Sequence, residues 1–260
     1  MNTEKVIDHI VHWLKRYAND AKSKGFVVGV SGGIDSALTS MLCAKTGFPT
    51  LLVEMPIHQS PNQVSRAQNH MARLEKEFKY VSKQHVDLTS TFDLMLSQLP
   101  ESDNDHSLQL AQANTRSRLR MTTLYYLAGL HGFLVAGTGN KIEDFGVGFY
   151  TKYGDGGVDL SPIADLTKSE VYACAKDLGI HEDILLAPPT DGLFGDDRSD
   201  EDQIGASYPE LEWAMEFSGD ELDLSERKKA VLHIYRTLNK QNQHKMQPIP
   251  VCLIPHDLKK

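Results

Sequence analysis

Residues 25–37 read Gly25-Phe26-Val27-Val28-Gly29-Val30-Ser31-Gly32-Gly33-Ile34-Asp35-Ser36-Ala37, and this stretch decides the fold. Its apolar start predicts a buried strand, its glycine pair predicts a tight turn, and the apolar run from Ala37 to Ala44 predicts a helix. The N–H groups of such a turn and the N-terminus of such a helix can point at one place, which makes an anion site. Gly32 and Gly33 let the backbone approach a phosphate where a Cβ would collide.

The polar side chains of the turn refine this interpretation. Ser31 and Ser36 add hydroxyl donors, and Ser36 is also a candidate helix cap. Asp35 would repel a bare phosphate, so its presence indicates a divalent cation between carboxylate and phosphate. The turn is not a Walker loop, because no Gly-Lys-Ser or Gly-Lys-Thr follows the glycines, and it is not a GxGxxG dinucleotide motif.

Composition limits the class of protein. The 260 residues, 40% hydrophobic and 24% charged, fit a single domain over 1–260. A formal net charge of −8 argues against broad nucleic-acid binding. The three cysteines form no CxxC pair and suit a reducing compartment. No apolar run approaches membrane-spanning length. We therefore expect a cytoplasmic protein without a membrane or nucleic-acid partner.

Strands and helices alternate through the first half of the chain. Apolar periodicity predicts strands at 26–30, 50–55, 80–86 and 133–136, and helices at 3–23, 36–45, 60–78, 89–99 and 108–130. The second half predicts helices at 167–178, 210–217 and 226–238, an acidic loop at 187–204 and a basic tail at 241–250. Alternation predicts a doubly wound parallel sheet with flanking helices. Two strands end in glycine-rich turns, which places a ligand at the carboxyl edge of the sheet.

Seven segments, which occur along most of the chain, together resemble one known family. They are VGVSGGIDSAL, NTRSRLRMTTLYYLA, GTGNKIED, FYTKYGDGGVDLSPIADLTKSEVY, APPTDGL, SYPELEWAME and NQHKMQP. SGGIDS resembles the PP-loop of the ATP pyrophosphatases, and the whole set resembles NAD synthetase over about residues 5–250. The resemblance implies ATP-dependent amidation of deamido-NAD by ammonia through an adenylated carboxylate, giving NAD, AMP and pyrophosphate. It implies the stand-alone form, without a glutaminase domain.

The resemblance also implies roles for particular residues. ATP would be held by the loop residues together with Thr138, Lys168 and Thr190; the loop residues are Gly29, Val30, Ser31, Gly32, Gly33, Ile34, Asp35 and Ser36. Asp35 and Glu143 would bind Mg²⁺, and Asp35 and Lys168 would be catalytic. Deamido-NAD would contact Arg118, Lys152, Asp159, His244 and Lys245. A role for Asp155 in a turn or toward a ligand stays open.

Some features depart from the family pattern or leave alternatives. Some bacterial members read GTDHAAE where this chain reads GTGNKIE, and this chain has one extra residue between Glu143 and Lys152. The acidic loop 191–202 is either a solvated loop or a lid that closes over the site.

The sequence leaves two alternative functions open and also predicts an assembly. Another PP-loop amidating ligase, such as the ATP-pyrophosphatase part of GMP synthetase, is the main alternative enzyme, and a nucleotide-binding regulator is the non-enzyme alternative. Surplus apolar residues on helix 108–130, with the resemblance, predict a two-fold homodimer built on that helix.

Overall fold

The computed structural model describes residues 1–190, 192–193 and 199–259. Its four strands, in chain order β1 to β4, are Phe26–Gly29, Thr50–Glu54, Val81–His85 and Leu134–Val135. They form a parallel sheet in the order β3-β2-β1-β4. The chain therefore leaves β1 in one direction to build β2 and β3, and returns to add β4 on the other side. Such a reversal of strand order opens a crevice at the carboxyl ends of β1 and β4, where ligands bind in doubly wound folds.

Helices cover both faces of this sheet, as the sequence predicts. In chain order α1 to α10 they are Thr3–Asp20, Ile34–Lys45, Pro61–Glu77, Thr89–Leu96, Asp105–His131, Lys168–Asp177, Glu182–Leu185, Asp200–Ile204, Tyr208–Glu216 and Glu226–Met246. One core cluster joins the sheet to α1, α2, α3 and α6. A second joins its other face to α4 and α5. A third cluster packs α8, α9 and α10 beside the site.

A π-helix at Ile142–Val147 follows β4 and carries Glu143. Each turn of a π-helix closes over one more residue than a turn of an α-helix, and such turns are frequent at functional sites. Gly148 ends the π-helix with φ +67°, a conformation that glycine adopts without strain.

Three local predictions are wrong. Ser36 does not cap α2, because Gly33 is the N-cap and the helix already begins at Ile34. The predicted loop at 187–204 contains α8, which Ser199 caps: its Oγ accepts from the N–H of Asp202 at 3.1 Å. The helix predicted to end at 238 continues through Met246, because no proline or glycine interrupts it before Pro248. Within the described part of the chain, no helix is long and apolar enough to cross a membrane.

Candidate active site at the carboxyl edge of the sheet

The loop between β1 and α2 is held in shape by its own hydroxyl groups. The Ser36 Oγ donates to the Gly33 carbonyl at 2.9 Å and accepts from the Ser31 N–H at 3.2 Å. The Gly33 N–H donates to the Ser31 Oγ at 3.2 Å. Gly32 has φ +84°, and a Cβ there would lie 2.6 Å from the carbonyl oxygen of Gln63. The loop thus needs glycine at position 32 both for its conformation and for the close approach of α3.

Two carboxylates meet at one buried ammonium beside this loop. The Nζ of Lys168 lies 2.6 Å from Asp35 Oδ2 and 3.0 Å from Glu143 Oε1. The second oxygen of Asp35 accepts from the Asn140 side-chain amide at 3.1 Å. Asp35 lies in the first turn of α2, Glu143 lies in the π-helix, and Lys168 begins α6, so three separate elements supply the cluster. The Lys168 residue is only 3% exposed.

Burial shifts the pKa values of this cluster. It raises the pKa of Glu143, and the negative charge of Asp35 adds to the rise, while Lys168 opposes it. Burial alone would lower the pKa of Lys168, but its two carboxylate partners raise it above the usual value. Lys168 therefore stays protonated at physiological pH. The cluster has the character of a cation site with carboxylates converging on it.

Tyr208 connects the cluster to α8 and α9. Its hydroxyl donates to Glu143 Oε1 at 2.6 Å and lies 3.3 Å from Asp200 Oδ2. The Lys168 ammonium also lies 4.6 Å from the centre of the Tyr208 ring. Burial is the main reason why the pKa of the Tyr208 hydroxyl is raised, and Glu143 adds to it. The hydroxyl is therefore a fixed hydrogen-bond donor that holds Glu143 in place.

The second glycine turn is shaped by Asp144. A Cβ on Gly139 would lie 2.2 Å from Asp144 Oδ1, so the carboxyl group fills the space that a side chain at position 139 would need. Glycine at position 139 therefore leaves room for the Asp144 carboxyl group. Burial raises the pKa of Asp144 to about 8, and Glu143, Asp155 and Asp35 add to the rise.

A cavity of about 260 Å³ opens above these groups. It is lined by most of the predicted ATP-binding residues: Gly29, Val30, Ser31, Gly33, Ile34, Asp35, Ser36, Thr138, Lys168 and Thr190. Gly32 is part of the same loop but does not line the cavity. The structure thus brings the predicted ATP-binding and metal-binding residues together.

Four of the predicted substrate-binding residues form a separate group near the loop 151–157. Arg118 donates to the carbonyl of Lys152 at 3.3 Å, and the Lys152 ammonium donates to the carbonyl of His244. The Lys245 ammonium donates to the carbonyl oxygens of Gly148 and Tyr150, each at 2.8 Å. His244 and Lys245 occupy the last turn of α10. Burial lowers the pKa of Lys245.

Asp159 lies apart from that group. Its carboxylate accepts from the Tyr125 hydroxyl at 3.0 Å and from the Val135 N–H at 2.8 Å. Burial raises the pKa of Tyr125 to about 12, and the bond to Asp159 adds to the rise. In this structure Asp159 joins α5 to β4.

Sequence reasoning missed several polar residues that lie in the cavity or beside it. Glu54 ends β2, is 3% exposed, and its Oε2 accepts from His85 Nδ1 at 2.7 Å, whereas none of the described residues donates a hydrogen bond to its Oε1. Arg66 lines the cavity from α3. Asn140 and Tyr208 fall inside quoted family segments, which was the available signal. Glu54 and Arg66 are single charges in ordinary elements and gave none.

The site has the features of an ATP-dependent ligase of the PP-loop class, and comparisons with known proteins identify the family. The NAD synthase family matches residues 6–249. The NH(3)-dependent NAD(+) synthetase of Carboxydothermus hydrogenoformans is 38% identical over 217 residues, which are 82% of this chain and 85% of that protein.

Two solved structures match almost the whole chain. The NMN synthetase of Francisella tularensis has a TM-score of 0.85 with 26% identity, covering 98% of this chain and 99% of that one. The NH3-dependent NAD synthetase of Campylobacter jejuni has a TM-score of 0.76 with 28% identity, covering 98% and 100%.

The chain therefore belongs to the NAD synthase family. Membership confirms the predicted family, the α/β fold class, the use of ATP and the assignment as a ligase that forms a C–N bond. Another PP-loop amidating ligase, such as the GMP synthetase part, is not favoured. The residue roles, the metal and the homodimer stay predictions.

Proposed function

We propose that this protein amidates deamido-NAD with ammonia in an ATP-dependent reaction. The observation that carries the proposal is the convergence of Asp35, Glu143 and Lys168 beside the glycine loop, at the edge where β1 and β4 separate. Family membership supplies the reaction class. In this proposal the residues predicted to bind ATP, deamido-NAD and metal keep those roles.

The reaction would proceed in two displacements. A carboxylate oxygen of the substrate attacks the α-phosphorus of ATP, the bond to the bridging oxygen breaks, and pyrophosphate leaves with the electron pair. Ammonia then attacks the carboxyl carbon, AMP leaves with the second electron pair, and the nitrogen loses a proton to give the amide. Adenylation supplies the leaving group that a free carboxylate lacks. The protein's contribution is positioning and neutralisation of charge.

The loop geometry suits the first displacement. The Ser31 and Ser36 hydroxyls are locked to each other at 3.1 Å, so the loop backbone is ordered before ATP arrives. Preorganised donors at a phosphate cost no reorganisation during reaction. Lys168 would hold the carboxylates of Asp35 and Glu143 in position. Thr138 and Thr190 would contact the nucleotide from the facing turns.

Asp35 and Glu143 fit a Mg²⁺ ion in their donor chemistry. Both are hard oxygen ligands, and both approach a single cationic group in this structure. Mg²⁺ commonly binds through few carboxylates together with phosphate oxygens. Bound there, Mg²⁺ would neutralise charge on the ATP phosphates.

Four basic residues would receive deamido-NAD. Arg118, Lys152, His244 and Lys245 gather beside the loop 151–157, whose Gly154, Asp155 and Gly157 line the ATP cavity. A negatively charged substrate held there would have its carboxylate near ATP. Asp159, hydrogen-bonded to α5 and β4, would contact the substrate from the side of α5. We further propose a two-fold dimer through α5.

One observation favours a second candidate function. The NMN synthetase of Francisella tularensis superposes with a higher TM-score than the NAD synthetase of Campylobacter jejuni, 0.85 against 0.76. The second candidate is amidation of the deamido form of the mononucleotide NMN, which uses the same acyl-adenylate chemistry.

One assay separates these candidates. Purified protein receives ATP, Mg²⁺, ammonium and either deamido-NAD or the deamido mononucleotide, and amide product, AMP and pyrophosphate are measured. The proposal expects a higher kcat/KM with deamido-NAD and equal amounts of the three products. A higher kcat/KM with the mononucleotide would establish the second candidate. If neither substrate supports pyrophosphate release, both candidates are wrong.

A further inference from the structure

The departing pyrophosphate needs positive charge that the loop does not carry. SGGIDS contains no lysine or arginine, whereas phosphoryl-transfer sites commonly place a cation on the leaving phosphates. Lys168, which is predicted to contact ATP, also pairs with Asp35 and Glu143 at 2.6 and 3.0 Å, so these carboxylates balance its charge. A further cationic side chain should therefore face the cavity close to the loop.

Arg66 is placed for this task on α3. The helix packs directly on the loop, since a Cβ on Gly32 would lie 2.6 Å from Gln63 O and 3.4 Å from Arg66 Cβ. The Arg66 Nε donates to the Gly32 carbonyl at 3.3 Å, and the side chain lines the cavity. That bond fixes the guanidinium group against the loop.

The charge of Arg66 is not compensated within the protein. Its two terminal nitrogens make no hydrogen bond, and no carboxylate lies within 4.0 Å of the group, as far as the described residues extend. Arg120, another arginine of the cavity, instead donates to the Met55 carbonyl at 3.0 Å and to Gln59 Oε1 at 2.7 Å. Arg66 is thus a partly buried cation whose planar face of donors is still available, which is the arrangement that binds phosphate in two bonds.

We propose that Arg66 binds the pyrophosphate half of ATP and stabilises its departure from the α-phosphate. The Gly32 carbonyl oxygen accepts the hydrogen bond from Arg66 Nε, so the partial negative charge of this oxygen is paired with Arg66. This role rests on the proposed function, because pyrophosphate is released only if the substrate is adenylated. The affinity for pyrophosphate itself does not depend on the second substrate.

Three substitutions at this position separate charge from structure. Arg66→Ala removes both, Arg66→Gln keeps a hydrogen-bond donor for the Gly32 carbonyl without charge, and Arg66→Lys keeps charge without the planar donors. Arg73→Ala is the control, because Arg73 lies on the same helix and its guanidinium pairs with Glu77 at 2.8 Å. Circular dichroism confirms the fold of each variant before use.

Two readouts decide the proposal. Calorimetric titration with magnesium pyrophosphate should show affinity at least about 10-fold weaker for Arg66→Ala and Arg66→Gln, because a charge-assisted bond is lost. Affinity for AMP should stay unchanged in both. With ATP and deamido-NAD, kcat/KM for ATP should fall about 10²-fold or more in these two variants. Arg66→Lys should recover part of the loss, and Arg73→Ala should match the wild type.

The opposite results would overturn the role of Arg66. Wild-type pyrophosphate affinity in Arg66→Gln would mean that the side chain only supports the loop. An equal loss of AMP and pyrophosphate affinity would mean that the whole site is distorted. If the wild-type protein forms no amide product, the proposed function fails, and the pyrophosphate titration still decides whether Arg66 binds that anion.

Discussion

Replacing Asp35 by asparagine tests the centre of the site. Asp35 accepts hydrogen bonds at both oxygens, from Lys168 at 2.6 Å and from the Asn140 amide at 3.1 Å. An asparagine at position 35 has one acceptor and one donor end, so it can satisfy only one of these donors. The substitution keeps the shape of the side chain and removes its charge.

The structure sets the size of the expected effects. Lys168 keeps its bond to Glu143 at 3.0 Å, so the buried ammonium is not left alone. We expect a loss of about 1–3 kcal/mol in the free energy of unfolding, less than the about 3–5 kcal/mol for breaking a buried pair outright. Turnover should fall at least about 10²-fold, or about 2.7 kcal/mol in the barrier, because the Mg²⁺ proposed to neutralise the phosphates would lose one of its charged ligands.

Pyrophosphate release at saturating ATP, deamido-NAD, ammonium and Mg²⁺ measures the turnover of Asp35→Asn. Thermal unfolding gives the stability on the same sample. Asp165→Asn is the matched control, since the Asp165 side chain is 98% exposed. Near-normal pyrophosphate release from folded Asp35→Asn, at unchanged Mg²⁺ dependence, would refute the assignment of Asp35 to the metal and the phosphates.

Three further predictions concern nitrogen source, assembly and pH. Purified protein should form amide with ammonium but not with glutamine, and its rate at fixed total ammonium should rise above neutral pH because only free ammonia attacks; glutamine-driven product free of contaminating ammonia would contradict this. Tyr126→Glu on α5, where the residue is 70% exposed, should convert the dimer to monomer by light scattering at micromolar concentration, whereas Leu222→Glu should not; a monomeric, fully active wild type would exclude the dimer. Burial raises the pKa of Asp144 to about 8, above its unfolded value near 3.9, so ionisation of Asp144 destabilises the folded protein as the pH rises between these values. The Tm of Asp144→Asn, relative to the wild type, should therefore increase from pH 5 to pH 8 and then level off. A difference in Tm that does not change with pH would contradict this.

The sequence was sufficient for the sheet and for the glycine loop. Buried parallel strands read as continuous apolar runs, and Phe26 to Val30 is such a run. Alternation of strands and helices, with glycine turns after β1 and β4, predicted a doubly wound parallel sheet, and the structure supplies its order, β3-β2-β1-β4. Helix ends were less certain, because polar residues such as those from Asn239 to Met246 continue α10 without an apolar period.

The residues that complete the site were harder to predict. Asp35 and Glu143 belong to recognisable motifs, but their meeting on Lys168 depends on three elements that are distant in sequence. A lone lysine at a helix start is ordinarily solvated, and only the fold shows that Lys168 is buried. Arg66 carries no motif at all. Its position against Gly32 follows from the packing of α3 on the loop, which periodicity does not give.

The charged side chains of the cavity lie in two zones, and their separation indicates where a cation and the phosphates would bind. Asp35 and Glu143 surround one ammonium, so when both are ionised one negative charge is left for a cation to balance. Burial raises the pKa of Glu143, and the charge of Asp35 adds to the rise, so ionisation of Glu143 is unfavourable in this environment. Arg66 lies against Gly32 of the loop from α3, with positive charge that no described carboxylate balances. A cation would therefore sit beside the carboxylates, and the phosphates that leave would lie toward Arg66. The α-phosphate would then stand between the two zones, facing the substrate carboxylate that attacks it.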